Sequence, residues 1–395
     1  MKALILAAGR GTRVQPITYT VPKPMIPIIN RPVMEFLVDL LRLHGVRQIM
    51  VNTSYLSNEI ESYFRDGSRF GVEIGYSFEG RLEDGKLIDE PVGSAGAIRK
   101  IHDHSGFFDE PFFVLCGDAI IDLDMTAFAR FHQQRRALAS LAAMRVPKEA
   151  VSSYGIVVSD DSGRIEGFQE KPKPEDARSD LANTGIYLFQ PEVLDLIPSR
   201  VTYDIGGQLF PDLVRRGLPF YAANIPFQWL DIGQVGDYCQ VLHRTMMGGT
   251  PGFTFPGREL APGIRVGPNV SFHPERCTVK PPVWIGASAT IHDGATLLGP
   301  CYIGPGAEVL PGAHVEDSFV FDYTRVGSLA MLKGNVASGR YCVNGQGANV
   351  DVAQTELDWI LSDARGPHGP MLELESLLAD ILDSGPPSGG LSSTE

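Results

Sequence analysis

The chain has 395 residues, of which 43% are hydrophobic and 21% charged, and it carries a formal net charge of −13. That length suits about two or three domains with ample core. The acidic balance argues against a broad nucleic-acid surface, so an anionic ligand needs a local cluster of cations. No apolar run reaches membrane-spanning length, so no targeting or membrane segment is expected. The five cysteines are scattered and include no Cys-x-x-Cys pair, which suits buried thiols in a reducing cytoplasm.

Ala3-Leu4-Ile5-Leu6 reads as a buried strand feeding a loop of small residues, Ala7-Ala8-Gly9-Arg10-Gly11-Thr12-Arg13. Side chains this small let a ligand lie against the main chain, whose N–H groups can cradle phosphate. Arg13, and Lys23 ten residues on between two prolines, add fixed positive charge. The loop is neither a Walker loop nor a dinucleotide fingerprint, because Val14 stands where the third glycine would be. Pro32–Leu43 and Leu56–Phe64 each gather apolar residues on one helical face. Arg47–Asn52, Val72–Phe78, Phe112–Cys116 and Leu138–Met144 read as strands. This alternation predicts an open, mixed but mostly parallel α/β sheet over residues 1–245, with ligands beyond the carboxyl ends of its strands. The Gly9 loop and Asp118, just after Phe112–Cys116, both lie there. By residue type alone Asp118 reads instead as a turn former or helix cap.

The texture changes after Gly248-Gly249. Ile285, Ile291, Leu297, Ile303, Val309 and Val315 recur every six residues, and after a slip of one Val320, Val326 and Leu332 continue the step. Ile264 and Val270 start an earlier, imperfect run. A period of six predicts a left-handed parallel β-helix of hexapeptide repeats over 260–345, three hexads to a triangular turn. His273, His292 and His314 in it read as structural or solvent-facing. Residues 346–384 are expected to form C-terminal helices, with Met371–Leu382 amphipathic, and 385–395 a disordered tail.

The N-terminal pattern, small-small-Gly-x-Gly-Thr-Arg and then a lysine beside proline, resembles the signature of the nucleoside-diphosphate-sugar pyrophosphorylases, the sugar-1-phosphate nucleotidyltransferases. The resemblance implies a Rossmann-like catalytic domain and covers roughly 240 residues, with its further motifs in family order. On that likeness Ala7, Ala8, Gly9, Gly11, Thr12 and Gly93 bind nucleotide, and Arg13 and Lys23 hold the triphosphate. Asp118 and Asp231, the latter in Trp229-Leu230-Asp231, would hold Mg2+, which needs only one or two carboxylates. Glu170 and Lys171 of Glu-Lys-Pro, Tyr154-Gly155, and Asn183-Thr184 would take the sugar and its phosphate. Taken alone, Lys171 is a solvated loop lysine and Asp231 a helix cap.

The chain departs from the thymidylyl and some uridylyl members in having no glutamine between Lys86 and Glu90 to pair with a pyrimidine. Gly80–Asp89 reads as an insertion. The chain as a whole is similar to the mannose-1-phosphate guanylyltransferase-like branch. Pro24-Met25-Ile26-Pro27-Ile28 and Asp204-Ile205-Gly206-Gly207-Gln208 are similar to a cyanobacterial subgroup that makes UDP-glucose. UTP with glucose 1-phosphate is therefore the expected substrate pair, GTP with mannose 1-phosphate the alternative, and a non-catalytic regulatory or scaffold homologue the alternative of another class. A homo-oligomer is expected, with no nucleic-acid or membrane partner.

Overall fold

The computed structural model describes residues 1–367 apart from 84, 85 and 329, so the expected helix Met371–Leu382 and the tail 385–395 lie outside the described residues. The chain divides into two units, Met1–Gln234 with Thr250–Gly252, and Val235–Gly249 with the residues from Phe253 on. Among the described residues no helix is long and apolar enough to cross a membrane.

The first unit is built on a nine-stranded sheet. Its strands are β1 (Lys2–Leu6), β2 (Gln48–Thr53), β3 (Glu73–Phe78), β4 (Phe112–Cys116), β5 (Ala139–Arg145), β6 (Gly155–Ser159), β7 (Ile165–Glu170), β8 (Leu181–Phe189) and β9 (Phe220–Ala223). The order is β7-β6-β8-β4-β1-β2-β3, with β5 pairing both β8 and β9. Parallel pairings join β4, β1, β2 and β3. Antiparallel ones join β7, β6, β8 and β4. The sheet is mixed, as expected; its antiparallel part arises where β6 and β7 follow one another with no helix to carry the chain back.

Residues alternate between the two faces of β1. Ala3 and Ile5 belong to a core with Leu37, Leu41, Phe64, Phe113 and Phe128, which includes side chains of α1 (Val33–Leu43), α2 (Ser57–Phe64) and α4 (Met125–Gln134). Leu4 belongs to the opposite core with Ile98, Ile101, Phe189, Phe210 and Phe220, served by α3 (Ser94–Ser105) and α5 (Phe210–Arg215). A parallel strand covered on both faces must be apolar at every position, which is why β1 reads as an unbroken hydrophobic run. Each fully buried large side chain contributes about 1.5–3 kcal/mol.

The second unit is a parallel β-helix with three sheets. Val266, Ile285, Ile303, Val320 and Ala337 stack in register on the first face. Phe272, Ile291, Val309 and Val326 stack on the second, and Val279, Leu297, Val315 and Leu332 on the third. Most of these side chains belong to one buried core. The slip of one in the hexad pattern is a shortening of the turn: Ile285 pairs Ile303, but Ile303 pairs Val320. The earlier run is corrected. Val266 and Phe272, not Ile264 and Val270, share the register of Ile285 and Ile291, because the first turn is one residue longer than the next.

Helix α6 (Val235–Met246) is grouped with this unit. Tyr238 is fully buried, its ring 6.5 Å from that of Phe321, and a Cβ on Gly236 would lie 2.7 Å from the Gly345 carbonyl. The expectation of helices from 346 fails over its described part. That stretch holds one helical turn, Val352–Thr355, between strands Asn349–Asp351 and Leu361–Asp363. The strand Leu361–Asp363 is preferred because it pairs the edge Thr324–Val326 and because Arg325, 4% exposed, anchors the backbone just beyond it. The Arg325 guanidinium donates to the carbonyls of Ala364, Gly366 and Pro367 at 3.0–3.2 Å and to Glu308 at 2.7 Å. His292, His314 and His273 each face a carboxylate (Glu308, Glu316 and Asp293), in keeping with a structural role.

Candidate active site

The chain leaves β1, β2, β3 and β4 at one edge of the sheet, and a cleft of about 410 Å³ opens there. Ala7, Ala8, Gly9, Lys23, Gly93 and Asp118 line it, as do Asn52 and Glu79. Two glycines serve it in different ways. A Cβ on Gly9 would meet nothing within 4 Å, so no packing neighbour excludes a side chain there, and its absence leaves the wall of the cleft bare. Gly93 has φ 77°, and a Cβ there would lie 2.5 Å from the Tyr203 carbonyl oxygen. No other residue fits without moving that backbone.

Gly11 sits in the left-handed region and is braced by the Thr18 hydroxyl, which donates to its carbonyl at 2.9 Å. Thr12 and Arg13 form the short 3-10 turn after it; both are exposed, and neither lines the cleft. Lys23, which opens the later turn Lys23–Met25, is pulled inward and pairs with the carboxylate of Asp118.

Asp118 comes directly after β4, and the Gly117 N–H donates to the Leu6 carbonyl at 2.9 Å, which ties the start of this turn to the end of β1. The next residues, Ala119–Ile121, form an antiparallel ribbon with Trp229–Asp231, Asp231 lying opposite Ala119. The Ile232 N–H donates to the Asp118 carbonyl at 3.2 Å. The backbone thus brings two carboxylates 113 positions apart in sequence to neighbouring places. Burial first, then the negative charges of Asp118 and Asp231, push the Cys116 thiol far above its ordinary value. Among the described residues no group of three or more His, Cys, Asp or Glu side chains could hold a metal. Two oxygen donors, one already drawing in an ammonium, fit a hard divalent cation that keeps much of its water.

The expected sugar residues gather on β6, β7 and β8. Gly155 lies opposite Glu170, and the Lys171 N–H donates to the Tyr154 carbonyl at 3.1 Å. A Cβ on Gly155 would come within 3.3 Å of Glu170 Oε2 and 4.0 Å of Asn183. Lys171 Nζ lies 3.8 Å from Glu170 Oε1, and both side chains are open to solvent. The Asn183 amide donates to Tyr187 Oη at 3.2 Å and accepts from the Gly185 N–H at 3.1 Å. A Cβ on Gly185 would lie 2.7 Å from the sulfur of Cys116, a lining residue of the cleft. The Tyr154 ring packs 4.9 Å from that of Trp229, on the ribbon that carries Asp231. Thr184 is a correction: it is 3% exposed and gives its hydroxyl to the Ala142 carbonyl at 2.8 Å, so it faces the core and not a ligand.

Asn52 and Glu79 are among the cleft residues that escaped the sequence reading. Asn52 lies at the end of β2 and Glu79 just after β3. Asn52 Oδ1 accepts from the Ala7 N–H at 2.7 Å, and its amide nitrogen donates to Glu79. Burial raises the Glu79 carboxyl above the usual range, against the opposing bonds from Asn52 and the Val92 N–H. The rule that found Asp118, a polar residue closing an apolar strand, also marks Asn52. Glu79 was hidden by the inserted hairpin of Gly80–Glu83 and Lys86–Asp89, which separates it in sequence from the Gly93 segment. In space the hairpin closes on itself, and the Glu90 N–H donates to the Glu79 carbonyl at 3.1 Å.

Residues 2–246 match the model of the nucleotidyl transferase family. The chain belongs to that family. Over 365 residues, 92% of this chain and 94% of the relative, it is 53% identical to a UTP–glucose-1-phosphate uridylyltransferase of Synechocystis sp.. It is 31% identical over 349 residues to mannose-1-phosphate guanylyltransferase 1 of Arabidopsis thaliana, covering 86% of this chain and 91% of that one. Among solved structures, a UDP-glucose pyrophosphorylase complexed with UDP-glucose superposes with a TM-score of 0.52 at 23% identity, over 62% of this chain and 98% of that one. That likeness concerns the fold of the nucleotidyl transferase unit. The resemblance read from the N-terminal motif therefore holds.

Proposed function

We propose that this nucleotidyl transferase moves a uridylyl group from UTP to glucose 1-phosphate, yielding UDP-glucose and pyrophosphate. The observation that carries the reaction class is the Lys23–Asp118 pair set in a cleft walled by Ala7–Gly9 and Gly93. The substrate pair rests on the 53% identity that runs nearly the full length of the Synechocystis enzyme.

A phosphate oxygen of the sugar 1-phosphate attacks the α-phosphorus, the bond from that phosphorus to the bridging oxygen breaks, and pyrophosphate leaves with the electron pair. The nucleophile is already an anion, so no general base is required, and catalysis is positioning and charge neutralisation. Lys23 and Arg13 hold the triphosphate and offset the charge that grows on the departing pyrophosphate. Asp118 and Asp231 would hold Mg2+, which would supply positive charge to neutralise the phosphates. Lys171 binds the sugar phosphate, Glu170 and Asn183 take sugar hydroxyls, and Gly155 leaves room for the ring. Main-chain groups of Ala8 and Gly93 offer donors and acceptors to the base.

A second reading, GTP with mannose 1-phosphate, is supported by the Arabidopsis likeness and by the lack of a pyrimidine-pairing glutamine. A non-catalytic role is disfavoured because Arg13, Lys23, Asp118, Lys171 and Asp231 are all present. We assign the β-helix to assembly of a homo-oligomer, and five free thiols suit a reducing cytoplasm. Pyrophosphate release from a panel of nucleoside triphosphates and sugar 1-phosphates tests the whole reading. A larger kcat/KM for GTP with mannose 1-phosphate would replace the substrate pair and keep the reaction. Silence from every pair would remove the reaction itself.

A further inference from the structure

We propose that Asn52 and Glu79 are positioning residues for the nucleotide, a buried relay that fixes the Ala7–Gly9 loop against the Pro91–Gly96 segment. The inference deepens the nucleotidyl-transfer reading and rests on it. Asn52 is 2% exposed and Glu79 6%, yet both reach the wall of the cleft. A carboxylate this buried is costly unless its oxygens are satisfied. Ala7 donates to Asn52, and Asn52 donates to Glu79. Glu79 is itself anchored at both ends of its backbone: its N–H donates to the Thr53 carbonyl at 2.7 Å, and its carbonyl accepts from Glu90.

A core with only stability to serve would place apolar side chains at these positions. The relay instead joins the two glycine-bearing segments that face each other across the cleft. Neither segment can set this distance alone, since Ala7–Gly9 has no side chain longer than a methyl group and Gly93 has none. Main-chain recognition of a base requires its donors and acceptors to be held within about 0.5 Å, which needs this kind of support from behind.

The test exploits the polarity of the relay. Asn52→Asp keeps an acceptor for the Ala7 N–H but sets a carboxylate against Glu79. Glu79→Gln keeps one oxygen and gains an amide donor. The double variant Asn52→Asp/Glu79→Gln therefore restores every link with the charge moved one residue along. The expected result is an NTP KM and dissociation constant raised about tenfold or more in N52D. Its kcat and sugar-phosphate KM should stay within about twofold, and the double variant should return close to wild type. An N52D protein that binds NTP normally, one whose parameters all fall together, or a double variant no better than N52D would overturn the relay. Should N52D fail to fold, a folded double variant with weak NTP binding overturns it equally. NTP affinity is read by calorimetry without turnover, so failure of the relay remains distinct from failure of the proposed reaction.

Discussion

The ammonium of Lys23 rests on the carboxylate of Asp118, although 94 residues separate them in the chain, and both side chains are largely withdrawn from solvent. Each neutralises the other at the place where a triphosphate and its cation would demand both. On the proposed reading the pair is a resting arrangement, in which nucleotide binding would give Lys23 a new anion and Asp118 a new cation.

Removing the carboxylate should stop turnover and spare the fold. Asp118→Ala is expected to cost about 3–4 kcal/mol of transition-state stabilisation, the scale of one electrostatic catalytic contact. The circular dichroism spectrum should be unchanged. Steady-state kinetics in Mg2+ check it; near wild-type turnover would displace Asp118 from the metal.

Lys23→Ala and Arg13→Ala should lower kcat by more than they raise the sugar-phosphate KM, because on the proposed reading both charges serve the leaving group. Lys23→Ala should also cost stability, as it strands a half-buried carboxylate. Arg13 is exposed, so its loss should leave the melting temperature in place. Kinetics and thermal melts of the two variants separate these effects.

Gly93→Ala should be disproportionately harmful for one methyl group. The Cβ meets the Tyr203 carbonyl and the residue is held in the left-handed half of φ, a strain of about 1–3 kcal/mol. Relief requires the N-terminus of α3 to shift, so the NTP KM should rise as the denaturation midpoint falls.

Acid should weaken the first unit through His132. This ring is 2% exposed, with Ser140 Oγ at 2.9 Å and the Gln190 amide nitrogen at 3.0 Å. Burial lowers its pKa from 6.5 to about 4. The folded protein prefers the neutral ring, which can accept from the Gln190 amide; the unfolded chain prefers the charged one. Stability is then complete above about pH 6.5 and falls by up to roughly 3 kcal/mol as the pH drops to about 4. His132→Gln should flatten that part of the profile. Denaturant titrations from pH 7 to 4 would show an unchanged slope if the ring plays no such part.

The features legible in the sequence are those with local signals. Phe112–Cys116 is bounded by composition alone, and it forms the strand with those limits. The hexads survive a one-residue slip because each aliphatic stacks on its counterpart whatever the turn length. Thr184 misled because a motif lists residues without saying which way each points, and in β8 its neighbours Asn183 and Gly185 take the other face. Glu79 was invisible because its partners are fixed by a hairpin that sequence spacing counts and space does not. Residues 346–367 read as helical, yet unpaired strand edges and the Arg325 guanidinium outweigh local propensity there.

The coil finishes with a change of direction. Tyr341–Asn344 and Leu361–Asp363 run antiparallel to the last parallel strands of two of its faces. A parallel stack has no inherent limit, since each turn presents the next with the same template. The reversed strands act as a full stop, fixing the number of turns from one end. Length in such a unit is quantised: a duplicated 18-residue turn between Ile285 and Ile303 would add a layer while the terminating strands kept their partners. Evolution, or an engineer, can thus change its height in whole steps without redesigning its terminus.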